Sequence, residues 1–133
     1  TIIVKIFETK PLGVLFKGKM QYLLDSSSNL IEIDKKMDFV KKLPNIIGND
    51  AEKNFVNFLN ILETNKFPTN KIKNFYYFKI DRWDLKLSDD RTIKFPYNIN
   101  SNIIKKSIKL LSRTDFQNYK IIDLRIDGKI IVE

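Results

Sequence analysis

The centre of the chain alternates apolar and polar side chains, and this pattern restricts the fold more than any other feature. In "DRWDLKL", Trp83, Leu85 and Leu87 alternate with Arg82 and Asp84. A period of two predicts a β-strand with one buried face, and the following "SDDR" predicts a turn into a second strand. The apolar face of such a hairpin must be covered by helices or by another sheet.

Two segments on either side of this hairpin have the spacing of amphipathic helices. In the first, Asn49 and Glu52 stand at the separation of a capping box, and Pro68 bounds the exit. Its apolar stripe comprises Ala51, Phe55, Phe58, Leu59 and Leu62, and the second helix has Ile104, Ile108 and Leu111. Stripes of this kind usually face a hydrophobic core.

The remaining segments read as strands. Residues 1–8 and 14–34 alternate around turns, and "IIDLRIDGKIIVE" predicts a hairpin that turns at Asp127 and Gly128 with type I′ geometry. The order of strands, helix, long hairpin, helix and hairpin predicts an α+β fold: a largely antiparallel sheet with two helices packed on one side.

The residues give little support for catalysis. The chain contains no Cys and no His, which excludes thiolate nucleophiles, imidazole bases and metal sites built on either side chain. In a strand Asp81 and Asp84 point to opposite faces, and Asp89 and Asp90 fall in a turn, so neither pair predicts acid/base chemistry. The four glycines are isolated and form no phosphate-binding loop. We therefore predict a noncatalytic domain without cofactor or metal.

The net charge of +8 suggests a second class of function, which is nucleic-acid binding. The aromatic run from Phe75 to Trp83, with Lys79 and Arg82 among the rings, could form a stacking platform for single strands. However, twenty of the 24 basic residues are Lys, and a strand that alternates its rings onto both faces is more typical of a core. We keep nucleic-acid binding as the alternative hypothesis.

The terminal hairpin suggests a third class. A last strand over residues 129–132 would be paired on one side only, and its free N–H and C=O groups could accept a strand from another chain. Edge strands are usually protected by charge or proline, but "IIV" contains neither. Periodicity alone leaves open the alternative that another strand of this chain covers it.

Four stretches, in order, resemble the extracytoplasmic part of the FtsQ/DivIB family of bacterial division proteins. They are "ETKPLGVL", "LPNIIGNDA", "DRWDLKLSDDRTIKFP" and "IIDLRIDGKIIVE". Three differences from the family pattern are Gly13 where Ala is more usual, "SDDR" where an Asn-Gly or Asp-Gly turn is commoner, and Ile126 where an aromatic residue is often found. The stretches span nearly the whole chain.

The resemblance implies that residues 1–9 are the last strand of a POTRA domain and that residues 10–133 are the family's β domain. It also implies a noncatalytic scaffold in a single-pass inner-membrane protein, with this segment on the periplasmic side and enriched at the septum. A start at Thr1 without Met fits a segment of a longer protein. The implied partners are the FtsB and FtsL division proteins, and the implied role is regulation of septal peptidoglycan synthesis.

The resemblance places partner binding on the terminal hairpin. Arg125 would pair with a partner carboxylate, and the last strand would supply a main-chain ladder for strand addition. The partner-binding residues expected from it are Asp123, Leu124, Arg125, Ile126, Gly128, Lys129, Ile130, Ile131 and Val132.

Overall fold

In the computed structural model, which describes residues 10–33 and 38–133, nine strands of these ranges form one sheet. Five of its eight neighbouring pairs are antiparallel and three are parallel. The predicted α+β fold with a largely antiparallel sheet is therefore confirmed. The strands are β1 (Pro11–Lys17), β2 (Met20–Asp25), β3 (Leu30–Glu32), β4 (Asn45–Ile47), β5 (Ile72–Phe78), β6 (Arg82–Leu87), β7 (Thr92–Lys94), β8 (Ile121–Asp123) and β9 (Ile131–Val132). The strand expected over residues 1–8 lies outside the described residues.

The spatial order of the sheet is β3-β2-β1-β4-β5-β6-β7-β8-β9. Strand β4 was not predicted, because three residues are too few to show a period and the sequence around them resembles the approach to a helix. It lies in the interior of the sheet and is parallel to both β1 and β5. Short 3₁₀ turns occupy Asp38–Lys42, Thr69–Lys71 and Thr114–Phe116.

Both helices cover the same face of the sheet. Helix α1 (Ala51–Thr64) connects β4 to β5 and helix α2 (Ser101–Ser112) connects β7 to β8, so each joins two strands that run parallel. All five predicted apolar positions of α1 are buried. In α2 Ile104 is buried, and Ile108 and Leu111 pack half-buried against the same core. Neither helix within the described ranges is long and apolar enough to cross a membrane.

Two local predictions about the ends of elements are wrong. The N-cap of α1 is Asp50 rather than Asn49, and its side chain makes no capping hydrogen bond, because its backbone is left-handed with φ 65°. Asp81, which the sequence placed within a strand, lies with Ile80 in the turn between β5 and β6, where Asp81 has φ 58°. The N-cap of α2 is Asn100, whose side-chain oxygen accepts the Ile103 N–H.

The core is centred on Trp83. Its ring stacks on Phe58, with centroids 4.9 Å apart and planes 4° apart, and meets Phe55 and Phe75 edge-on. The ring centroid of Tyr77 lies 4.8 Å from that of Trp83. Of the rings that could have formed a nucleic-acid platform, Phe75, Tyr77 and Trp83 thus fill the space between sheet and helices, which was the favoured interpretation, whereas Phe78 is 40% exposed beneath the Arg82 guanidinium.

Gly48 allows the close approach of β4 and β5. It has φ 131°, and a Cβ there would lie 2.3 Å from the Tyr77 carbonyl oxygen. Because the obstacle is backbone, we expect Gly48→Ala to lower the free energy of unfolding by about 3 kcal/mol. Urea denaturation measures this change.

Gly18→Ala is the matched control for this prediction. Gly18 also has a positive φ, 61°, but a Cβ at this position would have no atom within 4 Å, so only the backbone strain of about 1 kcal/mol remains. Equal losses in the two variants would contradict the steric explanation.

Candidate functional site

Strand β9 forms one edge of the sheet, and β3 forms the other. Ile131 pairs with Asp123 and Val132 pairs with Ile122, both on β8. Among the described residues no strand lies on the outer side of β9. The structure therefore answers the question that periodicity left open: within these ranges the last strand is not covered by another strand of the chain.

The hydrogen-bond pattern shows which main-chain groups face outward. Glu133 and Ile121 exchange two hydrogen bonds, each of 3.1 Å, so their N–H and C=O groups point toward each other. Residues alternate in this respect along an antiparallel pair, and the N–H and C=O of Val132 therefore point away from β8. Val132 offers one free donor and one free acceptor at the edge.

The connection between β8 and β9 is looser than the predicted tight hairpin. Ladder pairing stops at Asp123 and resumes at Ile131, and the turn is closed by the Lys129 N–H donating to the Ile126 carbonyl at 3.1 Å. Gly128 has φ 73° but Asp127 is not among the residues with positive φ. A type I′ turn needs positive φ at both central positions, so the prediction of that turn type is wrong.

Three isoleucines of this hairpin expose large apolar surfaces. The exposed fractions are 50% for Ile126, 38% for Ile130 and 40% for Ile131. Since strands place successive side chains on opposite faces, an added strand could contact apolar groups on both sides of the sheet. These are three of the nine residues predicted to bind a partner.

The segment Asp123-Leu124-Arg125 turns the chain out of β8. The Asp123 carboxylate accepts the Arg125 backbone N–H at 3.0 Å, which is an Asx turn. Leu124 points into the core and is 2% exposed, so its side chain stabilises the hairpin and is not available to a partner. The guanidinium of Arg125 folds back onto Asp123, with Nη2 2.7 Å from Oδ2 and Nε 2.9 Å from Oδ1.

This ion pair fixes Arg125 while leaving part of it accessible. The side chain of Arg125 is 44% exposed and that of Asp123 is 11% exposed. Hydrogen bonds from Arg125 lower the pKa of Asp123, and the same bonds raise the pKa of Arg125. Within the described part of the chain Nη1 makes no hydrogen bond, so one edge of the guanidinium can receive a further carboxylate.

The lowered pKa predicts an acid-dependent contribution to stability. A depressed carboxyl pKa stabilises the folded state above the unfolded value of about 3.9, and this contribution is lost as the pH falls through the folded pKa. We expect Asp123→Asn to remove it and to lower the free energy of unfolding by about 1 kcal/mol or less at neutral pH, because the pair is partly exposed. Urea denaturation of the wild type and of Asp123→Asn, at neutral pH and at pH values below about 3.9, measures both effects.

Asp115→Asn is the matched control. Asp115 pairs with Arg113 at the same separation of two residues, but both side chains are more than half exposed. We expect little change in the free energy of unfolding for Asp115→Asn at any pH. An equal effect of the two substitutions would contradict a stabilising role of the pair between Asp123 and Arg125.

Asp123 is also part of a row of charges that sequence reasoning missed. Register places Asp84, Lys94 and Asp123 side by side on β6, β7 and β8, on the face away from the helices. Asp84 is 8% exposed and pairs with Arg82. Burial raises the pKa of Asp84, and the positive charges of Arg82, Lys94 and Arg125 oppose that rise. The charged side chains are visible in the alternation of "RWDLKL", but only the strand-pairing register shows that they lie next to Arg125.

The arrangement is suited to binding rather than catalysis. An open strand edge, exposed aliphatic side chains and one oriented Arg supply alignment, apolar contact and a directional charge. In the described ranges no three acidic side chains come close enough to hold a metal ion. Within the described residues the sheet presents an open β-edge, a feature typical of protein-interaction modules.

Comparison with known proteins identifies the family. Residues 14–125 match the family model "Cell division protein FtsQ/DivIB, C-terminal". The chain therefore belongs to the FtsQ/DivIB family, whose members are non-enzymatic division proteins, and it is a cell-division scaffold domain. The recognition made from the four sequence stretches is confirmed.

No curated protein sequence matched the chain. Among solved structures, the chain is similar to the major extracytoplasmic domain of the trans isomer of the bacterial cell division protein DivIB from Geobacillus stearothermophilus. That likeness has 8% sequence identity and a TM-score of 0.47, and it covers 77% of this chain and 87% of the other.

Proposed function

We propose that this domain binds the division proteins FtsB and FtsL by β-strand addition to β9, on the outer side of the cytoplasmic membrane. The observation that carries the proposal is the position of β9 at the open edge of the sheet. A partner strand would pair with the outward main-chain groups of Val132 and continue along Ile130. In this role the domain would link division proteins at the septum and regulate peptidoglycan synthesis there.

Three features of the edge support the proposal. The exposed Ile126, Ile130 and Ile131 supply apolar contact on both sides of an added strand. Arg125 stands beside them with its guanidinium already oriented by Asp123, so little side-chain entropy is lost when it binds a partner carboxylate. The remaining predicted residues, Gly128 and Lys129, form the turn that places β9 beside β8.

We further propose the preceding domain and the membrane anchor that the family resemblance implied. Residues 1–9 would end a preceding POTRA domain, and the parent protein would be anchored in the inner membrane by one span. Protease protection of the tagged full-length protein in spheroplasts tests this orientation. Digestion of the domain from outside is expected, and protection would contradict it.

The test of binding is a titration of the domain with a peptide from the extracytoplasmic end of the cognate FtsB. We expect Arg125→Glu to weaken binding about tenfold or more, because it replaces attraction by repulsion next to the strand. A chain that ends after Asp127 lacks β9 and should not bind. Arg113→Glu is the matched control, since Arg113 has the same pairing with an Asp two residues on.

The outcomes separate the hypotheses. Undiminished binding by both variants would reject the site, and no binding by the folded wild type would reject the partner. Salt tests the nucleic-acid alternative, because binding of nucleic acid should fall by orders of magnitude between about 50 and 200 mM salt. Strand addition should weaken only modestly over that range, since main-chain hydrogen bonds and apolar contacts dominate it.

A further inference from the structure

A pocket separate from the β9 edge lies where three chain segments meet. It has a volume of about 330 Å³ and shares no residue with the hairpin of β8 and β9. The first segment follows α1, the second is the turn between β6 and β7, and the third is the end of α2. Its polar lining comprises Lys66, Lys71, Ser88, Asp89, Arg91 and Ser112.

Arg91 is the unusual member of this lining. Its side chain is 12% exposed, and Nε donates to Asp89 Oδ2 at 2.8 Å. Nη1 is buried without a hydrogen-bond partner among the described residues. A guanidinium carries five N–H donors, and a buried donor that is left unsatisfied destabilises the folded state. Nη2 likewise has no hydrogen-bond partner among the described residues but is not buried, so it is the nitrogen of this guanidinium that can reach an acceptor in the pocket.

The charge of the pocket indicates what kind of acceptor fits. Lys66 and Lys71 form no ion pair within the described part of the chain, and the single carboxylate in the lining, Asp89, is already paired with Arg91. Three cations and one anion leave a net charge of +2 in the lining. An accessible guanidinium N–H makes a charge-assisted hydrogen bond to an oxyanion, and flexible lysines suit phosphate as point charges.

We propose that this pocket binds a phosphate group, with Arg91 donating from Nη2 and with Lys66 and Lys71 closing on the remaining oxygens. Ser88, in the turn between β6 and β7, supplies a hydroxyl donor. The rival explanation is structural: α1 and α2 both end near this pocket, and cations near helix C-termini are stabilising without any ligand. The two explanations differ in whether phosphate binds.

The experiment is a titration of the full chain, followed by amide chemical shifts in NMR spectra. Two probes are used, inorganic phosphate for a free anion and glycerophosphoglycerol for the diester of a lipid headgroup. We expect shifts that map to residues 66–71, 88–91 and 108–112 and that disappear at high ionic strength. The probe that binds more tightly shows whether the phosphate comes from a free anion or from a lipid headgroup.

Four variants make the test specific. Lys66→Ala and Lys71→Ala should each weaken binding about fivefold, and Arg91→Lys should weaken it by less, because it keeps the positive charge. Lys53→Ala is the control, since Lys53 lies in the first turn of α1 and pairs with Asp50. If neither probe binds, or if the pocket variants bind as the wild type does, the cations serve only the helix ends and the proposal is wrong.

Discussion

Replacing Val132 with proline is expected to weaken partner binding about 100-fold while the domain stays folded. The N–H of Val132 points away from β8, so its loss breaks no hydrogen bond inside the sheet, and proline is tolerated at edge positions of this kind. Pairing of an added strand with β9, in contrast, should be strongly impaired. One carbonyl of the partner loses its donor, and the proline ring occupies the space in which that strand must lie. Titration with the FtsB-derived peptide measures the loss.

Leu30→Pro is the matched control at the opposite edge of the sheet. The Asp25 N–H donates to the Asn29 carbonyl, so by alternation the N–H of Leu30 also points outward, on β3. This variant should bind the peptide as the wild type does. If Leu30→Pro weakens binding and Val132→Pro does not, the partner adds to β3, and the assignment to β9 is wrong.

Replacing Trp83 with alanine is expected to lower the free energy of unfolding by about 3–5 kcal/mol, the largest effect on stability that we predict. Trp83 is 3% exposed and contacts four aromatic rings, two from α1 and two from β5. Domains of this kind have total stabilities of about 5–15 kcal/mol, so the variant could lose most of its folded population. Urea denaturation followed by circular dichroism measures the change, since the variant lacks the tryptophan signal.

Two further substitutions show whether the size of the ring or its burial decides the result. Trp83→Phe retains most of the stack with Phe58 and should lower the free energy of unfolding by roughly half as much as Trp83→Ala does. Ile80→Ala removes a large apolar side chain that is 67% exposed and should change stability by less than about 0.5 kcal/mol. A large loss from Ile80→Ala would mean that the turn between β5 and β6, and not the ring cluster, controls stability.

The sequence predicted the long elements because their periods repeat several times. Helix α1 shows its apolar stripe over 14 residues, and β6 alternates over six, so the core around Trp83 could be anticipated. Strand β4 could not, because its three residues owe their conformation to neighbours distant in the sequence, namely β1 and β5. The direction of three strand pairings depends on such contacts, which no local pattern reports.

The candidate site was predictable in outline but not in its internal contacts. The terminal hairpin follows from the pattern of "IIDLRIDGKIIVE", but its exposure does not, because periodicity left open whether another strand covers it. The ion pair between Asp123 and Arg125 and the burial of Leu124 require the turn after β8, which was predicted with the wrong geometry. Likewise the pocket beside Arg91 joins three segments that are far apart along the chain, and no motif marks it.

The position of β4 has a consequence for how the domain opens. Among the described residues, all ladder bonding between the unit of β1, β2 and β3 and the other five strands passes through these three residues. Partial opening at that joint would release the first three strands while the remainder, including β9, keeps its pairing. Amides of β1 to β3 should therefore exchange with solvent through a sub-global opening of lower free energy than that of β5 and β6. The domain would then contain two cooperative units, with the proposed partner-binding edge on the more persistent one.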